Sequence, residues 1–169
     1  QRDRELAPDV LRFFGVRYVV WHSPRNPQNR SALDAARAYA QFVLPVTQIS
    51  DVNDDTGETV LFRVNDLPPQ NQSAILPNAL ARLNFAEGWG ALSGQPIWAT
   101  RRDAKLFVRL DQPGDQTLSF SAFAPMHNQR VTISVNGRNA GALSLANHLG
   151  DYSIAVPREV WRAGLNQID

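Results

Sequence analysis

Hydrophobic and polar positions follow two different periods along this chain, and the change falls between residues 65 and 79. In the first part, helical and strand spacings alternate. Ala7-Pro8-Asp9 opens a helix, with proline and an acid in the first turn, where both are favoured. Leu6, Val10, Leu11 and Phe14 form its apolar stripe, and Gly15 stands where a helix stops. Val16 to His22 is apolar on both faces apart from Arg17, which predicts an interior strand. Ser31 caps a second helix, with Asp34 in a variant of the capping box. Ala32, Ala35, Ala36, Tyr39, Ala40 and Val43 give that helix a broad apolar face, and Pro45 ends it. Val46–Val52 and Glu58–Val64 predict two strands around the turn Asp54–Gly57. The order helix, strand, helix, hairpin predicts a small sheet covered by helices.

Asn65 to Asn78 holds Pro68, Pro69, Pro77 and a run of Gln and Asn, a linker composition. Beyond it the period is two. Ala81, Leu83 and Phe85 alternate with polar residues, and so do Ala104–Leu110, Leu118–Ala122, Val131–Val135 and Tyr152–Val156. Asn136-Gly137 marks a tight hairpin, and the short, regularly spaced strands predict a β-sandwich. Leu165 to Asp169 starts one more strand at the end of the sequence, which predicts a truncated strand or a short edge. The fold class expected is therefore α+β. Residues 1–65 form a small α/β subdomain, 66–78 a Pro/Gln/Asn-rich linker and 79–169 an antiparallel sandwich.

Composition narrows the chemistry. Of 169 residues, 43% are hydrophobic and 20% charged, ordinary for a globular chain. A net charge of +1 with scattered arginines argues against a nucleic-acid partner. Without cysteine there is neither a disulfide nor a thiolate-ligated zinc site. No apolar run approaches the roughly 20 residues that span a bilayer.

Val131-Thr-Ile-Ser-Val-Asn-Gly137, Tyr152-Ser-Ile-Ala-Val-Pro157 and Gly164-Leu-Asn-Gln-Ile168 resemble the galactose-binding-like jelly roll, an accessory module of carbohydrate-active enzymes. Leu11-Arg-Phe-Phe-Gly-Val-Arg-Tyr-Val-Val20, with Val60-Leu-Phe-Arg-Val64, is similar to the soluble tail of bacterial GT-C-type membrane glycosyltransferases, the dolichyl-phosphate-mannose mannosyltransferase-like group. Some of that group append a sandwich that opens with a Gly-Trp segment, here Glu87-Gly-Trp-Gly90, followed by a Trp strand, here Ile97-Trp-Ala-Thr100. The resemblance implies a C-terminal region on the extracytoplasmic face of a bacterial membrane. Its partners would be the membrane portion of its own parent chain and a carbohydrate or lipid-linked glycan. The catalytic acid of such enzymes lies in an early loop between membrane helices, so this region would be non-catalytic and need no cofactor.

Trp89 and Trp98 are candidates for stacking on the apolar face of a sugar ring, and Arg101 and Arg102 for bonding hydroxyl or phosphate oxygens. The competing role is packing: Trp98 would plug the sandwich core, Trp89 cover its end and Trp161 anchor the last turn. Asp51, Asn53 and Asp55 have the alternating oxygens of a calcium loop, but the glycine comes one residue late and strands flank it. His22, His127 and His148 are too scattered for zinc. Asn29-Arg-Ser31 and Asn71-Gln-Ser73 match the N-glycosylation sequon. A structural or protein-interaction sandwich without a ligand stays open as the alternative, and a hydrolase lacks a recognisable nucleophile and base.

Overall fold

The computed structural model describes residues 2–69, 71–75, 80–91, 96–126 and 129–169. His127 and part of the 66–78 stretch lie outside them. The chain divides into two compact units, Gln1–Pro68 and Pro69–Asp169. Among the described residues the elements are mostly antiparallel strands with short helices, and none of the helices is long and apolar enough to cross a membrane.

The first unit runs α1 (Arg2–Phe14), β1 (Tyr18–Pro24), α2 (Arg30–Phe42), β2 (Val46–Asp54) and β3 (Gly57–Val64). Helix α1 starts five residues before the expected Ala7 and carries Pro8 inside it, because Arg4-Glu5-Leu6 are good helix formers that extend its first turn. It closes at Gly15, whose φ of 67° suits a residue without Cβ. Gly15 N donates to Arg12 O and Val16 N to Leu11 O, both at 2.9 Å, which satisfies two terminal carbonyls. Its buried residues are Ala7 and Phe13, and not the expected stripe, since Phe14 is 58% exposed.

The sheet order is β1-β3-β2 and all pairs are antiparallel. The predicted interior strand, β1, is thus an edge, and β3 is the centre. Period-two geometry puts Val19 and Trp21 of β1 beside Phe62 and Val60 of β3, on the face that packs with Leu33 and Ala40 of α2. Tyr18 and Val20 lie on the opposite face and are exposed. Helix α2 is capped by Asn29 and not by Ser31. Asn29 Oδ1 accepts from Ala32 N, and Ser31 Oγ donates to the same oxygen, both at 3.2 Å. Ala32, Ala35, Ala36 and Tyr39, expected to be buried, are exposed, because the stripe turned to the sheet is Leu33, Arg37 and Ala40. Arg37 lies over the Trp21 ring at 5.1 Å and binds Glu58 and Asp51.

The second unit is a β-sandwich. A four-stranded sheet in the order β4 (Leu106–Leu110), β9 (Gly164–Ile168), β6 (Gln129–Val135), β7 (Arg138–Leu145) faces a pair formed by β5 (Gln116–Ala122) and β8 (Gly150–Val156). One core unites them: Leu110, Ile133, Val135 and Ile168 from the first sheet, Leu118, Phe120, Ile154 and Val156 from the second, closed by Trp161. Strand β9 lies between β4 and β6, so it is not the short edge that was one of the two expectations for Leu165–Asp169. It pairs along its whole length with β4 and touches β6 at Val135. Asn136-Gly137 forms the two-residue turn between β6 and β7, both residues at positive φ.

Ala81–Asn84 was expected to be extended and is instead a helical turn, α3. Its Asn84, 2% exposed, donates to Phe107 O at 2.7 Å and to Gln72 Oε1 at 2.9 Å. Within the stretch read as a linker, Gln72 N donates to Arg109 O and Asn71 Nδ2 to Gln112 O, at 2.9 and 2.7 Å. These residues cover the outer edge of β4, whose backbone would otherwise be open for pairing.

Candidate functional site

The two tryptophan segments singled out in the sequence meet as a short antiparallel ladder. Gly90 N donates to Trp98 O and Thr100 N to Gly88 O, both at 2.8 Å, and Trp89 pairs with Ala99. Neighbouring residues of an extended chain point to opposite sides, so Trp89 and Trp98 are on different faces and do not form one platform. Trp89 is half-buried, meets Phe85 edge to face at 5.3 Å, and spends its indole N–H on Lys105 O at 2.9 Å. It is a packing residue. Trp98 does not plug the sandwich core. It is 46% exposed and rests edge-on against Phe123 at 5.0 Å. The aromatic support fixes the indole while leaving surface free for a ligand.

Arg101 and Arg102 lie beyond the other end of this ladder. They line an open depression of about 360 Å³ with Glu87, Asp103 and Lys105. Glu87 joins the group together: it accepts from Lys105 Nζ, and its second oxygen is 4.0 Å from Arg101 Nη1. The hydrogen bond from Lys105, with its charge and that of Arg101, holds the Glu87 carboxyl below the usual glutamate range, and the same bond raises Lys105. The depression thus carries donors, on Arg101, Arg102 and Lys105, and acceptors, on Glu87 and Asp103, the two kinds of group that bond hydroxyl oxygens. Sequence reasoning missed Glu87, Asp103 and Lys105. The only hint was that they flank the Gly-Trp and Trp segments at the points where the ladder begins and ends.

The Glu87–Lys105 pair gives a direct check. In a carbon-detected NMR titration the Glu87 carboxyl ionises below the ordinary glutamate midpoint, and Lys105→Met moves it upward. An unchanged midpoint in Lys105→Met would remove this pair from the site. Since the Glu87 value is depressed, the pair's contribution is present at neutral pH and is lost as pH falls through the folded-state midpoint.

The remaining candidates are accounted for by local contacts. Asp51 pairs with Arg37 and Asp55 with Arg25, while Asp54 caps the turn by accepting from Thr56 N and Oγ1. Those hydrogen bonds lower the Asp54 carboxyl. Among the described residues no group of three or more His, Asp or Glu is placed to hold a metal ion. His22 exchanges a hydrogen bond with Thr59 Oγ1 at 2.8 Å, and His148 is exposed at a loop. Trp161 is 7% exposed and donates to Val156 O at 3.3 Å, anchoring the last turn. Compared with known proteins, the sequence matches no family model, and neither a curated protein nor a solved structure matches it.

Proposed function

We propose that this chain is a non-catalytic, extracytoplasmic accessory region of a membrane glycosyltransferase-like protein, and that its sandwich, of galactose-binding-like jelly-roll type, binds carbohydrate or lipid-linked glycan. The carrying observation is the Trp98 ring, exposed and propped by Phe123, on a ladder that also presents Glu87, Arg101 and Arg102. An indole face suits the C–H face of a pyranose, and the charged depression suits its hydroxyls. The motif order described above supports the glycosyltransferase setting. Trp89 leaves the binding set, because its ring and its N–H are both used internally.

A glycan array followed by titration calorimetry tests the reading. A glycan is bound, Trp98→Ala weakens it about tenfold, and Trp89→Ala acts through stability alone. No glycan bound by the wild-type chain, or one bound equally by Trp98→Ala, overturns it. A second reading, a protein-interaction module without a ligand, is favoured by the open face of the first unit's sheet, where Tyr18 is 56% and Val20 62% exposed. That module would bind no glycan.

A further inference from the structure

Edge strands leave backbone groups unpaired, and folded chains usually blunt them with bulges, charges, proline or a covering segment. The other edges of the two larger sheets are blunted in these ways. Strand β2 shifts register between Gln48 and Ser50 and carries Asp51 and Asp54. Strand β7 shifts register at Ala140, and β4 is covered by Asn71 and Gln72. Strand β1 has none of these devices. Its seven residues pair with β3 in unbroken register, and proline comes only at its end, as Pro24. Val64 N donates to Arg17 O at 2.9 Å, so Arg17 and Val64 form a hydrogen-bonded pair. Such pairs alternate along an antiparallel ladder. Val19 and Trp21 therefore also turn their N–H and C=O groups to β3, while those of Tyr18, Val20 and His22 point away from the sheet. Among the described residues nothing bonds these outward groups, and all three residues are exposed.

We infer that β1 pairs antiparallel with β1 of a second copy of this chain, about a two-fold axis at Val20, joining the two three-stranded sheets edge to edge. The strand itself sets the register. Centring on Val20 uses every outward group: Val20 faces Val20, and Tyr18 faces His22 of the second copy on both sides. The side chains agree with that pairing. On the open face two valines meet between two Tyr–His pairs, and on the helix-covered face Val19 stands opposite Trp21 of the second copy. The charges agree as well. Arg17 faces Ser23 of the second copy, and between these positions no residue meets a like charge. A second copy carries the whole match by symmetry, whereas a strand of another sequence would have to supply it anew. The pairing needs no glycan, so it goes beyond the function proposed above.

The absence of cysteine makes a register-specific test possible, because Val20→Cys introduces a lone thiol. Residues opposed in a hydrogen-bonded pair lie about 5.5 Å apart at Cα, within the span of a disulfide. In an oxidised-glutathione buffer Val20→Cys cross-links into a disulfide dimer. Tyr18→Cys and His22→Cys do not cross-link alone, and a mixture of the two does. Sedimentation velocity of the 169-residue wild type shows a monomer–dimer equilibrium. Val20→Pro weakens dimerisation about tenfold or more, and leaves amide protection in β2 and β3 unchanged, because the N–H it removes faces outward. A wild type that stays monomeric at every concentration overturns the inference and leaves this edge to a strand of another protein. So does a dimer undiminished by Val20→Pro, or cross-linking of Tyr18→Cys alone as readily as of Val20→Cys.

Discussion

Asn166→Ala lowers the unfolding free energy by about 3 kcal/mol or more, seen as a fall in the urea midpoint with little change of slope. Asn166 is fully buried, and its amide makes every bond it can. Oδ1 accepts from Asn136 Nδ2 at 2.8 Å and Arg162 N at 2.9 Å, while Nδ2 donates to Arg162 O and Gly164 O at 2.9 and 3.0 Å. Asn136 extends the network to Val160 O and Gln167 N, at 2.9 and 3.1 Å. One side chain thus ties the β6–β7 turn, the Trp161–Gly164 bend and β9 together. Alanine leaves buried donors and acceptors unpaired, and each costs about 1–3 kcal/mol. Asn166→Asp keeps the shape but loses both donors and aims a carboxylate at two carbonyls. Its penalty grows as pH rises and the carboxyl ionises, because the site favours the neutral form. Asn136→Ala removes part of the same network, so a double-mutant cycle with Asn166→Ala shows non-additivity. A loss below about 0.5 kcal/mol for Asn166→Ala would contradict this account.

The sequence shows where elements begin and end better than which neighbour each acquires. Gly15 and Asn136-Gly137 were legible because their constraint is local: a positive φ that few residues accept. The period-two stretches after residue 104 were legible because alternation turns one apolar face to the sandwich core. Strand β1 misled because Tyr18 and Val20 are apolar yet uncovered, and apolarity alone does not say which face receives a helix. Ala81–Phe85 misled because five residues satisfy both periods: Ala81, Leu83 and Phe85 alternate, but Ala81 and Phe85 are also one helical turn apart, with Phe85 N bonded to Ala81 O at 3.4 Å. The deciding contacts come from Asn84 to Gln72 and Phe107, and no local pattern contains them. Asn71 and Gln72 read as linker because edge-covering segments share its polar composition.

At the candidate site the residue types were legible and their grouping was not. Trp89, Trp98, Arg101 and Arg102 stood out by type, but only pairing across the ladder separates a packed indole from an exposed one. Exposure of Trp98 depends on Phe123, far along the chain, and the depression depends on Glu87 reaching Lys105.

Phe62→Ala destabilises the first unit by about 3–5 kcal/mol. Phe62 is 1% exposed on the central strand β3, level with Val19 on one neighbour and Gln48 on the other. Its cluster is small: Trp21, Ala40 and Val60, with Val19, Leu33, Leu44 and Val46 packed around them. In so small a unit a vacancy of this size removes much of the core, since short chains bury a low fraction of their surface. The exposed face of the sheet has few contacts with which to collapse into the void, which places the expected cost toward the upper end of the range. Phe62→Leu retains most of the volume and costs about 1–1.5 kcal/mol. Val20→Thr, on the open face and 62% exposed, stays within about 0.5 kcal/mol. Amide hydrogen exchange reads all three: protection of β1, β2 and β3 collapses in Phe62→Ala, weakens in Phe62→Leu and is unchanged in Val20→Thr. Equal protection in Phe62→Ala and Val20→Thr would mean that the helix-covered face is not what holds this sheet.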